Sequence, residues 1–144
     1  MEQNITKEII QELIAQKDEV GKHFELEVLD FNENYAICQM PLKAQHKNPL
    51  GIAHGAAIFS LADLTFVAAS HAYGLVAVNT QSSLSFLNKG TGEKLTAKAI
   101  LLKASKKILV YQVNVFDEKE TIIAQGQITG YIVGTVQDLL NSLA

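Results

Sequence analysis

The run GIAHGAAIFSLADLTFVAASHAYG, from Gly51 to Gly74, holds one carboxylate, Asp63, in a stretch otherwise made of small and apolar residues. Gly55 stands eight residues earlier, His54 precedes it, and Asn48 lies six residues before that histidine. The apolar run reads as a helix. Gly55 then falls in the first turn, where backbone N–H groups lack intrahelical acceptors and the helix dipole is positive. A carbonyl oxygen can be polarised there, and a glycine lets it come close. Asp63 can attack the carbonyl carbon or activate a water that does so, and the sequence leaves both routes open. Asn48 offers an amide to orient water or the carboxylate, and His54 stands at the helix entrance. Together they supply what acyl transfer to water requires: a polariser, a base or nucleophile, and positioning groups. A structural reading stands beside this one, in which Asp63 caps a neighbouring loop or pairs with a lysine, and Asn48 and His54 only shape the helix entry.

The elements that must position these residues follow from the pattern. Ile5, Ile9, Ile10, Leu13 and Ile14 recur at helical spacing, so a surface helix is expected from Ile5 to about Val20, with Asn4 or Thr6 as cap. HFELEVLDF and YAICQMPL alternate around Asn32–Asn34 and read as a hairpin. A polar loop, KAQHKNPLG, leads into the long helix. Four strand-like runs follow, Val76 to Leu87, Lys94 to Leu102, Ile108 to Phe116 and Thr121 to Val133, joined by short polar turns of the kind that link antiparallel strands. Val136 to Leu143 reads as a final helical turn. The long helix is apolar nearly all round, so protein or membrane must surround it. Its alanine content and its breaks at Ser60, Asp63, Thr65, Ser70 and His71 argue against a span. The expected fold is α+β: one domain over residues 1–144, with about six antiparallel strands curved around one long central helix, and a short N-terminal helix.

Composition narrows the function. A chain of 144 residues, 48% hydrophobic and 19% charged, is a globular domain's worth. A net charge of −3 with no block of like charge argues against a nucleic-acid binder working by phosphate neutralisation. All twelve cations are lysines, so phosphate contacts must be point-charge contacts. The single cysteine, Cys38, lies in a strand-like run and reads as a small buried residue, which suits a reduced compartment. Glu2, Glu8 and Glu12 make the N-terminal segment unlike a signal peptide. A cytoplasmic location is therefore expected. His23, His46 and His71 have no partners at ligand spacing, and no metal site is expected.

Asn48, Gly51, His54, Gly55, Leu61, Ala62 and Asp63 together resemble the N-x-x-G-x-x-H-G-G-x-x-x-x-L-A-D signature of hotdog-fold acyl-CoA thioesterases, in the phenylacetate-pathway (PaaI-like) branch. The element order is similar over essentially the whole chain. Ala56 departs from the second glycine of that pattern. Val67, one turn after the carboxylate, departs from the Ser or Thr of relatives that act on hydroxybenzoyl groups. The resemblance implies a hotdog fold, cleavage of an acyl-CoA to free acid and CoA without metal or organic cofactor, and roles for Gly55 as polariser, Asp63 as base or nucleophile, and Asn48 and His54 as positioning groups. It also implies that coenzyme A lies near LNKG and KASKK. That makes Asn88, Lys89, Ser105, Lys106 and Lys107 candidates for its phosphate end, with Asn79 nearer the thioester. Phe59, Phe66 and Val67 would line an acyl cavity suited to aromatic or medium-chain groups. The implied assembly is a homodimer with shared active sites, paired again into a dimer of dimers. Two rivals carry over from the same fold: a non-catalytic acyl-CoA sensor, and a hydratase or dehydratase, whose His-plus-acid arrangement differs from the spacing here.

Overall fold

The computed structural model describes residues 4–144; Glu2 lies outside them. Its elements run α1 (Lys7–Gln11), a π turn (Glu12–Gln16), α2 (Glu19–His23), β1 (Glu27–Asn32), β2 (Tyr35–Pro41), a 3-10 turn (Ala44–His46), α3 (Gly55–Ala72), β3 (Leu75–Phe86), β4 (Lys94–Ala104), β5 (Ile108–Phe116), β6 (Ile122–Thr135) and α4 (Val136–Leu143). The strands form one antiparallel sheet in the order β1-β2-β4-β5-β6-β3. This is the expected architecture: six strands around a central helix.

The N-terminal segment differs from the single surface helix expected. Thr6 caps α1 by accepting from the Ile9 N–H at 3.2 Å, and the chain then widens into the π turn, closed by Lys17 N–H to the Glu12 carbonyl at 2.9 Å. Asp18 breaks the helix, because its extended backbone and carboxylate cap a second helix through the Val20 and Gly21 N–H groups, both at 3.0 Å. Nor is the segment superficial, since Ile10, Leu13 and Ile14 are buried. It is tied to the sheet by Gln11, whose amide donates to the Leu26 carbonyl and whose carbonyl accepts from the Val28 N–H, each at 2.7 Å. The first strand accordingly starts at Glu27, and His23, expected at its head, ends α2 instead.

The inner face of the sheet explains why α3 is so rich in alanine. Val28, Ala36, Cys38, Met40, Leu95, Ala97, Ala99, Leu109, Val113 and Val115 point inward and are buried with Ile58, Leu61, Ala62, Leu64, Phe66, Ala68 and Ala69 of the helix. Small residues on both sides let the helix lie close in the sheet's concavity. α3 is long and apolar enough to cross a membrane, yet eleven of its eighteen residues are buried in the fold. Cys38 is fully buried, and loss of solvation pushes its thiol up to about 12, so it carries no nucleophile.

One close approach fixes the height of the helix over β6. A Cβ on Gly130 would lie 2.4 Å from Cζ of Phe66, which also packs edge-on against Tyr111 with ring centroids 5.7 Å apart. Phe66 is fully buried there and faces the sheet, so the expectation that it lines an acyl cavity is corrected. Gly130→Ala must therefore push Phe66, and α3 with it, off the sheet. The expected result is a loss of about 1–3 kcal/mol in urea unfolding, and a variant as stable as the parent would show that the contact does not constrain the helix.

Candidate active site

The chain enters α3 through a tight turn. Gly51 takes the left-handed conformation (φ 78°), its N–H donates to the Asn48 carbonyl at 2.9 Å, and the Asn48 side-chain oxygen accepts from the Leu50 N–H at 3.0 Å. Asn48 thus holds its own turn, and within one chain it makes no hydrogen bond to Asp63. The next residues are braced from two sides: Ala53 N–H donates to the Gly90 carbonyl and His54 N–H to the His46 carbonyl, each at 2.8 Å. His54 is the N-cap of α3. Its Nδ1 accepts from the Ala56 N–H at 2.9 Å, which leaves the exposed Nε2 edge available to a ligand.

Capping by His54 also leaves one donor over. Its carbonyl takes the Ala57 and Ile58 N–H groups and its ring takes that of Ala56, while the Gly55 N–H has no acceptor among the described residues. Directly against Gly55 lies Phe86, the last residue of β3, 52% exposed, with its ring 3.7 Å from where a Cβ would sit. A carbonyl oxygen bound to this N–H would have an aromatic ring as neighbour.

Asp63 sits on the only stripe of α3 that the sheet leaves open in this chain. Ala56 and Phe59 are exposed, and Ser60, Asp63 and Val67 half-buried, at the spacing of one helix face. Of the apolar residues named for the acyl cavity, Phe59 and Val67 lie on this stripe. The carboxylate is neither a loop cap nor a partner of lysine: its Oδ1 accepts from the Asn79 amide at 2.7 Å. Asn79 in turn meets Ser82, whose hydroxyl accepts from Nδ2 at 2.6 Å and donates to Oδ1 at 2.9 Å. Ser82 was not singled out by sequence reasoning; the polar run Asn79–Ser83, which interrupts a strand, was the available signal.

The coenzyme candidates fall in two places. Asn88 spends its amide on the Ile122 carbonyl at 2.7 Å and steadies the segment beside Ala53, with exposed Lys89 next to it. Ser105 closes the β4–β5 turn through mutual hydrogen bonds with Ile108 at 3.2 Å, and Lys106 and Lys107 project from it, exposed. Lys89 follows the end of β3 that pairs with the start of β6, whereas the Lys107 carbonyl accepts from Ile132 near the end of β6. The two lysine groups thus lie at opposite ends of the sheet, separated by roughly the length of β5, about 26 Å at 3.3 Å per residue. One chain does not bring them together.

The histidines are less scattered in space than in sequence. His46, buried, stacks on Phe24 (centroids 5.2 Å, 28° between planes) and meets His23 edge-on at 6.2 Å. Among the described residues no group of three or more His, Cys, Asp or Glu is arranged to hold a metal ion.

A thioesterase superfamily profile matches residues 50–124, from the turn before α3 to the start of β6. The chain belongs to the thioesterase superfamily. It is 31% identical to a protein of Archaeoglobus fulgidus described as a putative esterase, over 88% of this chain and 82% of that one. It is 30% identical to the acyl-coenzyme A thioesterase PaaI of Escherichia coli, over 76% of this chain and 79% of PaaI. The solved structure of the E. coli PaaI protein superposes with a TM-score of 0.82 at 25% identity, covering 90% of this chain and 94% of that one. The Streptococcus mutans protein smu.793, solved bound to acetyl CoA, superposes with a TM-score of 0.73 at 25% identity, covering 76% and 90%. The chain is thus a PaaI-like hotdog thioesterase by sequence and by fold.

The site's support has a pH dependence. Burial lowers the pKa of His46, with His23 adding to the effect, and burial likewise lowers that of His71. Both rings are neutral in the fold. Below about 6.5 the unfolded chain binds protons that the folded chain does not, so stability is full above that pH and falls as pH drops toward the lowered values. The urea midpoint at pH 5.5 should therefore lie below that at pH 7.5, and His46→Gln should shrink the difference; equal midpoints in the parent protein would contradict the assignment of neutral buried rings.

Proposed function

We propose that this thioesterase hydrolyses an acyl-CoA, with Asp63 as general base or nucleophile and the Gly55 N–H polarising the thioester carbonyl. The observation that carries the reading is a pair of groups on α3: a carboxylate on its one open stripe, with one oxygen unpartnered among the described residues, and a backbone N–H without an acceptor at its positive end. PaaI of E. coli is named for acyl-coenzyme A, and smu.793 holds acetyl CoA, which supports coenzyme A as the carrier. Phe59, Val67 and Phe86 give the acyl side an apolar, partly aromatic lining, which favours aromatic or medium-chain acyl groups.

Gly55 and Asp63 are separated by about 12 Å along the helix axis at 1.5 Å per residue, so one carbonyl cannot touch both. Two copies with antiparallel central helices would set the Gly55 of one chain against the Asp63 of the other. The edge strand supports this arrangement. β3 is twelve residues long, lies at the rim of the sheet, and is exposed along most of its length, with neither lysine nor proline to blunt it. Pairing β3 with its own copy about a twofold axis would run α3 antiparallel to its mate. It would also bring Lys89 of one chain to the same end of the joined sheet as Lys106 and Lys107 of the other, where they could share the coenzyme phosphates. The lysine separation within one chain then has a use.

Release of free thiol across a panel of acyl-CoAs tests the reaction and separates it from a sensor or a hydratase, neither of which releases thiol. Asp63→Asn should abolish most turnover while acyl-CoA binding persists; near-normal turnover would remove Asp63 from the chemistry. For the shared site, Asp63→Asn subunits are exchanged with subunits carrying Asn48→Ala and His54→Ala. Half the dimers are then mixed and half their sites intact, so activity should return to about a quarter of the parent's. Exchange verified by mass with no recovery would reject the shared site, leaving either all the groups within one chain or Asp63 as a structural residue. Replacing Lys89, Lys106 and Lys107 with Ala should raise KM and flatten its salt dependence while kcat changes little; an unchanged KM would exclude them.

A further inference from the structure

Regular alternation along β3 would place Asn79 and Ser82, three residues apart, on opposite faces of the sheet. They touch because the strand is bulged between them. Asn79 pairs with Gly130 and Gln81 with Thr129, so Thr80 is the extra residue, and its hydroxyl donates to the Thr129 carbonyl at 3.1 Å. The bulge resets the alternation, so that Ala77, Asn79, Ser82, Leu84 and Phe86 all face α3. An amide has two N–H donors and a carbonyl acceptor. In Asn79 one N–H goes to Asp63, the other to Ser82, and the carbonyl receives the Ser82 hydroxyl. No donor is left for a substrate. The amide's orientation is also chemically fixed, since an ionised carboxylate can only accept.

The geometry points to Asn79 and Ser82 as positioning residues, resting on the reading of Asp63 given above: Ser82 locks the Asn79 amide, and the amide pins Asp63 Oδ1. Asp63 Oδ2, with no partner among the described residues, is the oxygen left to react. Asn79 is thereby moved from the substrate-contacting group to the support of the carboxylate. The device explains how a carboxylate on an open helix stripe keeps one orientation without a charged partner, and why a polar run interrupts an otherwise apolar edge strand.

Steady-state kinetics of thiol release tests this. Asn79→Ala should lower kcat by about ten- to a hundredfold, the range for a lost hydrogen bond to a charged group, with KM within about twofold of the parent's. Ser82→Ala should act in the same direction to a smaller extent, and Ser82→Thr, which keeps the hydroxyl, should recover most of the loss. Gln81→Ala, on the opposite face, should leave both constants unchanged. Asn79→Ser must show the same loss in kcat, so that an unfolded Asn79→Ala protein does not shelter the proposal. A raised KM with kcat retained would return Asn79 to the substrate, and an unchanged kcat in both Asn79 variants would make the hydrogen bond incidental; either overturns the proposal. Asp63→Asn is measured in parallel. If it is inactive while the Asn79 variants behave as the parent, the positioning proposal alone fails, and if it is active the reading of Asp63 falls and the proposal with it.

Discussion

α3 cannot stand in water, and the rest of the molecule follows from that. Its alanines, leucines and phenylalanines would expose apolar surface on almost every side, so a curved sheet, with the N-terminal helices closing one flank, must be folded around it. This six-stranded sheet does not enclose the helix completely. The strip left over, from Ala56 and Phe59 through Asp63 to Val67, is where the helix stays uncovered in this chain and where its one carboxylate lies. The same logic explains the sheet's own composition: alanines at 36, 97 and 99 bring the strands close to the helix, and Gly130 gives Phe66 room to sit between them.

A carboxylate on such a strip can be held in place by a charged partner or by dipoles aimed at it. No lysine reaches Asp63, and one carboxylate oxygen is held instead by a neutral amide that is itself bonded to a hydroxyl. The helix entry works by the same economy. His54 uses its ring and its carbonyl to satisfy the three donors that follow Gly55's own, and gives its own N–H to His46, leaving one N–H free at the end where the helix dipole favours negative charge. The site consists of one unsatisfied donor and one unsatisfied acceptor, each isolated by the saturation of its neighbours.

The fold was legible in the sequence because periodicity is dictated by burial. The six strands and α3 follow directly from which residues must face inward, and the motif at Asn48, Gly55 and Asp63 marks the helix entry and its carboxylate. The N-terminal segment was not legible as two helices, because Asp18 is as good a surface residue within a helix as it is a cap at the start of one, and only the packing of Ile10, Leu13 and Ile14 decides between them. Phe66 and Phe59 have the same type and lie on the same helix, and a helix apolar all round gives no sign of which one meets the sheet. Ser82 was hidden for a different reason. Counting by twos along a strand fails at a bulge, and a bulge is a property of two paired strands, not of one segment read alone.

That bulge links the two halves of the site. Without Thr80 as an extra residue, either Asn79 or Phe86 would face α3, not both, since they are an odd number of residues apart. With it, a single strand delivers the amide to Asp63 near the middle of the helix and the aromatic ring to Gly55 at its start. β3 therefore carries the hydrogen-bond support for the carboxylate and the ring beside the unpaired Gly55 N–H, and it is also a free edge of the sheet. A displacement of β3 would disturb all three together. The strand that completes the sheet thus also sets the amide and the ring against α3, and at its bulge the Thr80 hydroxyl fastens it to the neighbouring strand.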